Sequence, residues 1–262
     1  MTNDPSHFQS VKFIFFDLDD TLCGYWDACK IGLRQTFDRL PISGKTTDDM
    51  VRIWANEFKK FAPTLKKTHW YPMYLKSGAP TRHELMRLVA SAAGIDDPAL
   101  PQKLADTYAE LRDANLVLFP DARATIDSLK NRGYRMGLIT NGPADVQRQE
   151  IATLNLAEQF DPILIEGELE VGKPESVVYE RAMELTGCAP NELAMVGNSF
   201  GHDIIGAQRA GWKTVWIRRP SDVPPSADAN AQPESMPLGA TEPDATITDL
   251  KSLLGLLAGV NH

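Results

Sequence analysis

The sequence predicts an α/β protein: a Rossmann-like, doubly wound parallel sheet with an all-helical cap domain inserted into it. Short apolar runs alternate with helix-like segments from residue 118 onward, and a similar run at residues 11–16 ends abruptly in carboxylates. Between these regions, residues 23–116 place their apolar side chains at helical spacing. Strands of a parallel sheet are continuous apolar runs because helices cover both faces, and alternating strands and helices build such a sheet.

Composition fits a soluble globular protein and excludes several classes of function. The chain has 262 residues, 43% hydrophobic and 24% charged, which excludes a disordered or collagen-like chain. Lys and Arg total 27 against 35 Asp and Glu, for a net charge of −8. An acidic surface repels phosphate backbones and anionic lipids, so we expect no nucleic-acid partner and no membrane partner.

The sequence contains no recognisable targeting or transmembrane segment. Residues 1–10 are polar and lack the basic and then apolar pattern of a signal peptide. The longest apolar stretch, residues 253–260, contains glycines and is too short to cross a bilayer. We therefore expect a cytoplasmic protein, while its oligomeric state stays open.

The cysteines indicate packing rather than chemistry. Cys23, Cys29 and Cys188 are an odd number without paired ligand spacing, so neither a disulfide framework nor a zinc site is expected. Cys23 lies close to the first motif described below, where we also expect it to pack.

The core elements follow one another in alternation. Residues 11–16 form the first, central strand, and an amphipathic helix at 247–257 closes the chain. Between them we expect a helix at 121–132, a strand at 134–140, a helix at 145–155, a strand at 162–166, a helix at 175–186, a strand at 192–196, a helix at 203–210 and a strand at 214–217. The catalytic core is thus predicted at residues 1–22 and 117–262.

The cap domain is predicted at residues 23–116. Apolar residues recur there at helical spacing, for example Leu85, Leu88, Val89 and Ala92, and no β-branched run bounded by turns interrupts them. This pattern predicts an insertion of about four or five helices.

Residues 220–243 differ from the rest of the core. Proline, serine, alanine and acidic residues dominate, and apolar residues nearly vanish. This composition predicts a mobile, extended loop. We interpret it as a flexible linker, with a functional lid as the alternative.

Polar motifs stand at the ends of four predicted strands or just beyond them. They are Asp17-x-Asp19-x-Thr21, Thr140-Asn141-Gly142, Lys173-Pro174 and Gly197-Asn198-x-x-x-x-Asp203. Each motif alone is common in turns and at helix starts. Because the carboxyl ends of parallel strands meet at one edge of the sheet, where α/β proteins bind ligands, the four together predict one site.

In order, spacing and strand context, these motifs resemble the haloacid dehalogenase superfamily, whose members are mostly phosphatases. The resemblance implies a Rossmann-like core with the first motif on the central strand and a helical cap inserted directly after it. The segments Leu138-Ile-Thr-Asn-Gly142 and Gly172-Lys-Pro174 resemble most the branch that contains N-acylneuraminate-9-phosphatase and nucleotide-monophosphate phosphatases.

The residue types agree with a metal-dependent phosphatase. An ionised Asp17 at the end of a buried strand, beside other carboxylates, is costly unless a cation pairs with it. Mg²⁺ takes oxygen ligands and keeps several waters. We expect Asp17 and the main-chain carbonyl of Asp19 as ligands, with Asn198 or Asp203 completing the set.

Each motif has an expected role in phosphoryl transfer. Asp17 attacks phosphorus and forms an aspartyl-phosphate, while Asp19 protonates the leaving alkoxide and later deprotonates the hydrolytic water. Lys173 neutralises the phosphoryl oxygens. The Thr140 hydroxyl, with main-chain N–H groups near Leu18 and Asn141, holds the nonbridging oxygens. The substrate expected is a small phosphomonoester.

Asn198 departs from the family pattern, because phosphatases of this family usually carry an aspartate after this glycine. An amide oxygen still ligates Mg²⁺ but brings no charge, so weaker metal binding is expected, and Asp203 can compensate as a ligand or by holding Lys173. A catalytically weak phospholigand-binding protein is therefore one alternative. Another is a metal-independent 2-haloacid dehalogenase, but Asp19 argues against it because a halide leaves unprotonated.

Residues 59–76 of the predicted cap hold five lysines with His69, Trp70, Tyr71 and Tyr74, and no acidic residue. Such a stretch either attracts an anionic substrate or forms an ordinary solvated helix face. We favour the solvated helix face, with the aromatic residues packed in the core of the cap.

Overall fold

A computed structural model describes residues 3–228 and 230–257, and a six-stranded, entirely parallel sheet forms its centre. The strand order is β3-β2-β1-β4-β5-β6. The strands are β1 (Phe13–Phe16), β2 (Arg135–Thr140), β3 (Ile163–Ile165), β4 (Leu193–Gly197), β5 (Lys213–Ile217) and β6 (Ala245–Ile247). In register, Phe16 of β1 lies opposite Leu138 and Val196, so the first, second and fourth motifs emerge at the same edge.

Five α-helices occupy residues 25–115, which follow β1 in the chain. They are α1 (Tyr25–Arg39), α2 (Thr47–Phe61), α3 (Trp70–Lys76), α4 (Ala79–Ala92) and α5 (Leu100–Asn115). A hydrophobic cluster of their own, which includes Leu33, Trp54 and Val89, holds them together. Helices α1 and α5 cross closely at Gly32, where a Cβ atom would lie 2.8 Å from the main-chain nitrogen of Arg112.

The two segments that connect these helices to the sheet are hydrogen-bonded to each other. Gly24 N–H donates to the carbonyl of Val117 (3.1 Å), and Phe119 N–H donates to the carbonyl of Leu22 (2.9 Å). The segment that leaves the sheet after β1 and the segment that leads back to it therefore run side by side.

Helices cover both faces of the sheet, which confirms the predicted α/β class. The remaining ones are α6 (Ala122–Asn131), α7 (Ala144–Thr153), α8 (Glu166–Leu169), α9 (Ser176–Thr186), α10 (Ile205–Arg209) and α11 (Leu253–Leu256). Side chains of β1 alternate between two hydrophobic cores, Ile14 and Phe16 in one, Phe13 and Phe15 in the other. The three cysteines are free and buried.

The C-terminal region differs from the predicted helix at 247–257. Residues Ala245–Ile247 form edge strand β6 instead, paired with β5, and a 3₁₀ turn at Leu250–Ser252 precedes the short α11. The prediction is wrong at its start because a three-residue strand is too short to produce a readable alternation.

The expectations for residues 1–10 and 253–260 extend to positions outside the described residues. In the described ranges, no helix combines the length and the apolar character needed to cross a bilayer.

Candidate active site

The first motif lies in a tight loop at the carboxyl end of β1. Asp17 N–H still donates to the carbonyl of Val196 on β4 (2.9 Å), and the Leu18 side chain points into the hydrophobic core. Asp20 then adopts a left-handed conformation (φ 58°), and its carboxylate accepts a hydrogen bond from Trp26 N–H in the first turn of α1 (3.1 Å). Only the main chain of Leu18 is thus free to face a ligand, and Asp20 connects the loop to the helical segment.

Lys173 joins the first and fourth motifs. Its side chain is 1% exposed, and its Nζ lies 2.6 Å from an oxygen of Asp17 and 2.6 Å from an oxygen of Asp203. Burial lowers the pKa of Lys173, but the two carboxylates raise it, and the net direction is upward. The structure therefore brings Asp17, Lys173 and Asp203 together, with a charged ammonium between two carboxylates.

Carboxylates outnumber cations at this edge of the sheet. Burial raises the pKa of Asp17 to about 6 despite Lys173, and burial with the charge of Asp17 raises the pKa of Asp19 to about 6. Burial also raises the pKa of Asp20 to about 9. A small cavity of about 190 Å³ lies among these side chains. Among the described residues that line this cavity, Lys173 is the one lysine or arginine.

The second motif is part of a buried hydrogen-bond network that sequence analysis missed. Thr140 Oγ1 donates to Gln147 Oε1 (2.6 Å), and Gln147 Nε2 donates to Asp19 Oδ2 (3.1 Å) and to Glu150 Oε2 (2.9 Å). Gln147 and Glu150 lie on α7, one turn apart, and nothing in a helical sequence marks them. These hydrogen bonds hold the carboxylate of Asp19 in one orientation.

Asn141 connects the second motif to the third. Its side-chain oxygen accepts from Lys173 N–H (2.9 Å) and its amide donates to the Lys173 carbonyl (2.8 Å). The side chain that we expected beside the phosphate therefore also fixes the main chain of the lysine.

Asn198 is held by polar contacts on both sides of its amide. Its Oδ1 accepts from Thr21 Oγ1 (3.2 Å), and its Nδ2 donates to Asp222 Oδ2 (2.9 Å). Asp222 belongs to the Pro-rich segment, and burial raises the pKa of its carboxyl group. The negative charge that Asn198 lacks is thus present one hydrogen bond away.

The interpretation of residues 220–243 as a linker without a role near the site is wrong. Besides Asp222, this segment supplies Glu234, whose carboxylate accepts from the N–H groups of Phe200 (2.8 Å) and Gly201 (3.2 Å). These residues open the π-helical turn Phe200–Ile204 that carries Asp203. Asp222 and Glu234, two acidic residues of this segment, therefore form hydrogen bonds with residues of the fourth motif.

The donor set fits a hard divalent cation. Asp17, the main-chain carbonyl of Asp19 and the amide oxygen of Asn198 are oxygen ligands of the kind Mg²⁺ prefers, and the unbalanced carboxylates need positive charge. In the ranges that the structure describes there is no group of three or more His, Cys, Asp or Glu side chains arranged for a metal. The expected set contains only one acidic side chain, Asp17, since Asp19 contributes its main chain.

A second, larger cavity lies next to the first, between helices α1–α5 and the sheet. It has a volume of about 690 Å³ and shares Asp19, Trp26 and Asn141 with the smaller one. We call it the upper cavity.

Part of the lysine-rich segment faces the upper cavity. Lys66 forms an ion pair with the buried Glu166 (3.0 Å), and Tyr71 donates a hydrogen bond to the same carboxylate (2.8 Å). Glu166 also accepts from Gly142 N–H (3.0 Å), so it joins the second motif to this segment. The favoured interpretation, a solvated helix face with aromatic residues of the cap core, leaves out that Lys66 and Tyr71 line the upper cavity.

Comparison with known proteins identifies the family. Residues 14–217 match the model of the haloacid dehalogenase-like hydrolases, and the chain belongs to this family. A glyceraldehyde 3-phosphate phosphatase from Methanothermobacter thermautotrophicus is 28% identical over 79% of this chain and 85% of its own length. An N-acylneuraminate-9-phosphatase from Mus musculus is 28% identical over 82% and 85%.

A phosphoserine phosphatase from Thermus thermophilus is 35% identical, over 57% of this chain and 60% of its own length. These relatives confirm a phosphatase-type member, a phosphoric monoester hydrolase. Among solved structures, the magnesium-bound HAD-hydrolase YfnB from Bacillus subtilis matches 95% of this chain and 99% of its own with a TM-score of 0.72 at 19% identity. A 2-haloacid dehalogenase from Pseudomonas syringae matches 95% and 98% with a TM-score of 0.60 at 24% identity. Both confirm the fold.

Proposed function

We propose that this protein is a Mg²⁺-dependent phosphatase that hydrolyses a small-molecule phosphomonoester through an aspartyl-phosphate. The observation that carries the proposal is the buried Lys173 between Asp17 and Asp203, with Asp19 beside the same cavity. In this proposal residues 1–22 and 117–262 are the catalytic core and residues 23–116 are the cap. The cytoplasmic location stays a prediction.

The first half-reaction uses both aspartates of the first motif. An oxygen of Asp17 forms a bond to phosphorus as the bond from phosphorus to the ester oxygen breaks. Asp19, with its raised pKa, gives its proton to the departing oxygen. The Lys173 ammonium offsets the charge of the phosphoryl oxygens, and main-chain N–H groups of the motif loops bind them.

The second half-reaction reverses the role of Asp19. As a carboxylate it takes a proton from water, whose oxygen attacks phosphorus while the bond to Asp17 breaks. Gln147 orients the carboxylate during both steps. Asp17, the Asp19 carbonyl and Asn198 would hold Mg²⁺, which would supply electrophilic stabilisation of the phosphoryl group.

A 2-haloacid dehalogenase is the second candidate, because solved dehalogenases share the fold. Those likenesses concern fold alone. A halide leaves without a proton, whereas Asp19 stands beside Asp17 with a pKa suited to proton transfer at neutral pH. This observation favours the phosphatase.

The test is turnover of p-nitrophenyl phosphate and of a panel of phosphomonoesters, with Mg²⁺ and with EDTA, beside 2-chloropropionate. The panel includes phosphoserine, glyceraldehyde 3-phosphate and an N-acylneuraminate 9-phosphate, which the names of the relatives suggest. We expect Mg²⁺-dependent phosphate release and no chloride release. Chloride release without phosphate release would overturn the proposal.

A further inference from the structure

Two buried donors of the upper cavity have no acceptor. In the described part of the chain, no hydrogen-bond partner reaches the indole Nε1 of Trp54 or the guanidinium Nε of Arg82. Both residues line the upper cavity, from helices α2 and α4 respectively. A buried donor without an acceptor loses its hydrogen bond to water and gains no replacement. Such donors are therefore rare in natural structures.

Arg82 also forms no ion pair with any described residue, although the charge of Asp113 is close enough to act on it. No carboxylate lies within ion-pair distance of its side chain in the described residues, whereas its neighbour Arg112 is paired with Asp113 and Glu150. Burial lowers the pKa of Arg82 and the charge of Arg112 lowers it further, but a guanidinium stays protonated at neutral pH. The upper cavity is therefore lined by a half-buried cation, Arg82, with which an anionic group of a ligand could pair.

Aromatic side chains line the path from the catalytic aspartates to these donors. Trp26, which the two cavities share, packs edge-on against Phe58 (5.8 Å between ring centroids), and Phe58 stacks on Trp54 (4.9 Å, 7° between planes). A volume of about 690 Å³ exceeds what a triose phosphate needs and is within the range of sites for larger small molecules.

We propose that the leaving group of the substrate has an apolar body and ends in a carboxylate that Arg82 and Trp54 bind. The phosphate would lie at Asp17, the apolar body along Trp26 and Phe58, and the carboxylate would supply the acceptor that both donors lack. This inference deepens the proposed function and rests on it. An arginine binds a carboxylate with two parallel hydrogen bonds, which adds orientation as well as affinity.

The test compares 4-(2-phosphonooxyethyl)benzoate with its neutral methyl ester. Both are alkyl phosphates with the same aromatic body, so they differ only in the remote carboxylate. We expect kcat/KM of the acid to exceed that of the ester by about 10-fold or more, mainly through KM. In Arg82→Met the ratio should fall to about one, and Trp54→Phe should reduce it by a factor of about three.

Arg87→Met is the matched control, because Arg87 lies on the same helix, carries the same charge and pairs with Glu84 away from the cavity. It should leave the ratio unchanged. Equal kcat/KM for both substrates in the unsubstituted protein would overturn the inference, as would equal ratios in Arg82→Met and Arg87→Met. If Arg82→Met fails to fold, the ratio of kcat/KM values in Trp54→Phe is the test: a reduced ratio supports the inference and an unchanged ratio overturns it.

A binding measurement separates this inference from the proposed function. The phosphate-free alcohol 4-(2-hydroxyethyl)benzoate should quench tryptophan fluorescence, and Arg82→Met should weaken its Kd by about 10-fold. Binding without turnover of any phosphomonoester would reject the phosphatase and keep the carboxylate site. Turnover without binding of this probe would reject the site and keep the phosphatase.

Discussion

The two sides of the cleft differ in what they leave unpaired. At the sheet edge, Asp17 and Asp203 share the ammonium of Lys173, and burial raises the pKa of Asp17 and of the neighbouring Asp19 to about 6. On the side of helices α2 and α4, the residues that the structure describes supply no acceptor for Arg82 Nε or Trp54 Nε1. The sheet edge therefore suits a cation and the helical side suits an anion, which is why we propose a metal at the first and a carboxylate of the substrate at the second.

The largest expected effect concerns Asp17. Asp17→Asn removes the nucleophile, so turnover of p-nitrophenyl phosphate should fall by roughly 10⁴-fold or more. Phosphoenzyme trapped by acid quench should vanish as well, and circular dichroism should show that the fold is kept. Retention of a large share of the activity would contradict the covalent mechanism.

Asp19→Asn tests the proton transfer that we propose for Asp19. Turnover of alkyl phosphates should fall by about 10²- to 10⁴-fold, the usual contribution of a general acid. The loss should be smaller for aryl phosphates, because phenolate needs less protonation to leave. The ratio of the two losses is the measurement, and equal losses would show that protonation of the leaving group does not limit turnover.

The excess of carboxylates predicts how stability depends on pH without metal. Because the folded protein raises the pKa of Asp17 and Asp19 from 3.8 to about 6, it binds more protons than the unfolded chain between these values. Their contribution to the free energy of unfolding is complete below pH 4 and is lost as pH rises through 6.

In EDTA at pH 7, Asp17→Asn should therefore be more stable than the unsubstituted protein by roughly 2 kcal/mol, with a smaller difference at pH 4. Urea denaturation at both pH values measures it, and Mg²⁺ should narrow the gap at pH 7. A difference independent of pH would mean that Lys173 fully compensates Asp17.

The smallest effect concerns the charge beside Asn198. Asn198→Asp adds an anionic oxygen, and Asp222→Asn removes the carboxylate that Asn198 contacts. Calorimetric Mg²⁺ titration should give a tighter Kd for the first and a Kd weaker by about 10-fold for the second, as for residues that contact a metal ligand. Identical Kd values in all three proteins would place Asn198 outside the metal site.

The sheet edge could be predicted from sequence and the helical side could not. Asp17 directly follows β1, while Lys173 and Asp203 lie in the segments that follow β3 and β4, so the order of the strands brings all three to one edge of the sheet. Trp54 and Arg82 meet only through the packing of α2 against α4, which depends on every side chain between them. Asp222 and Glu234 were missed because their segment has the composition of a linker, yet single carboxylates in it reach the fourth motif.

The paired connection between sheet and helices has a consequence for motion. Because Gly24 bonds to Val117 and Phe119 to Leu22, the two connections cannot bend separately. The two connections therefore act as one hinge. The contacts of Tyr71 and Lys66 with Glu166 join the helices to the sheet at a second point, away from the hinge. Opening about that hinge would break the contacts with Glu166 and move Trp26 and Phe58 away from Asp19, so we expect substrate to enter and product to leave through the same opening.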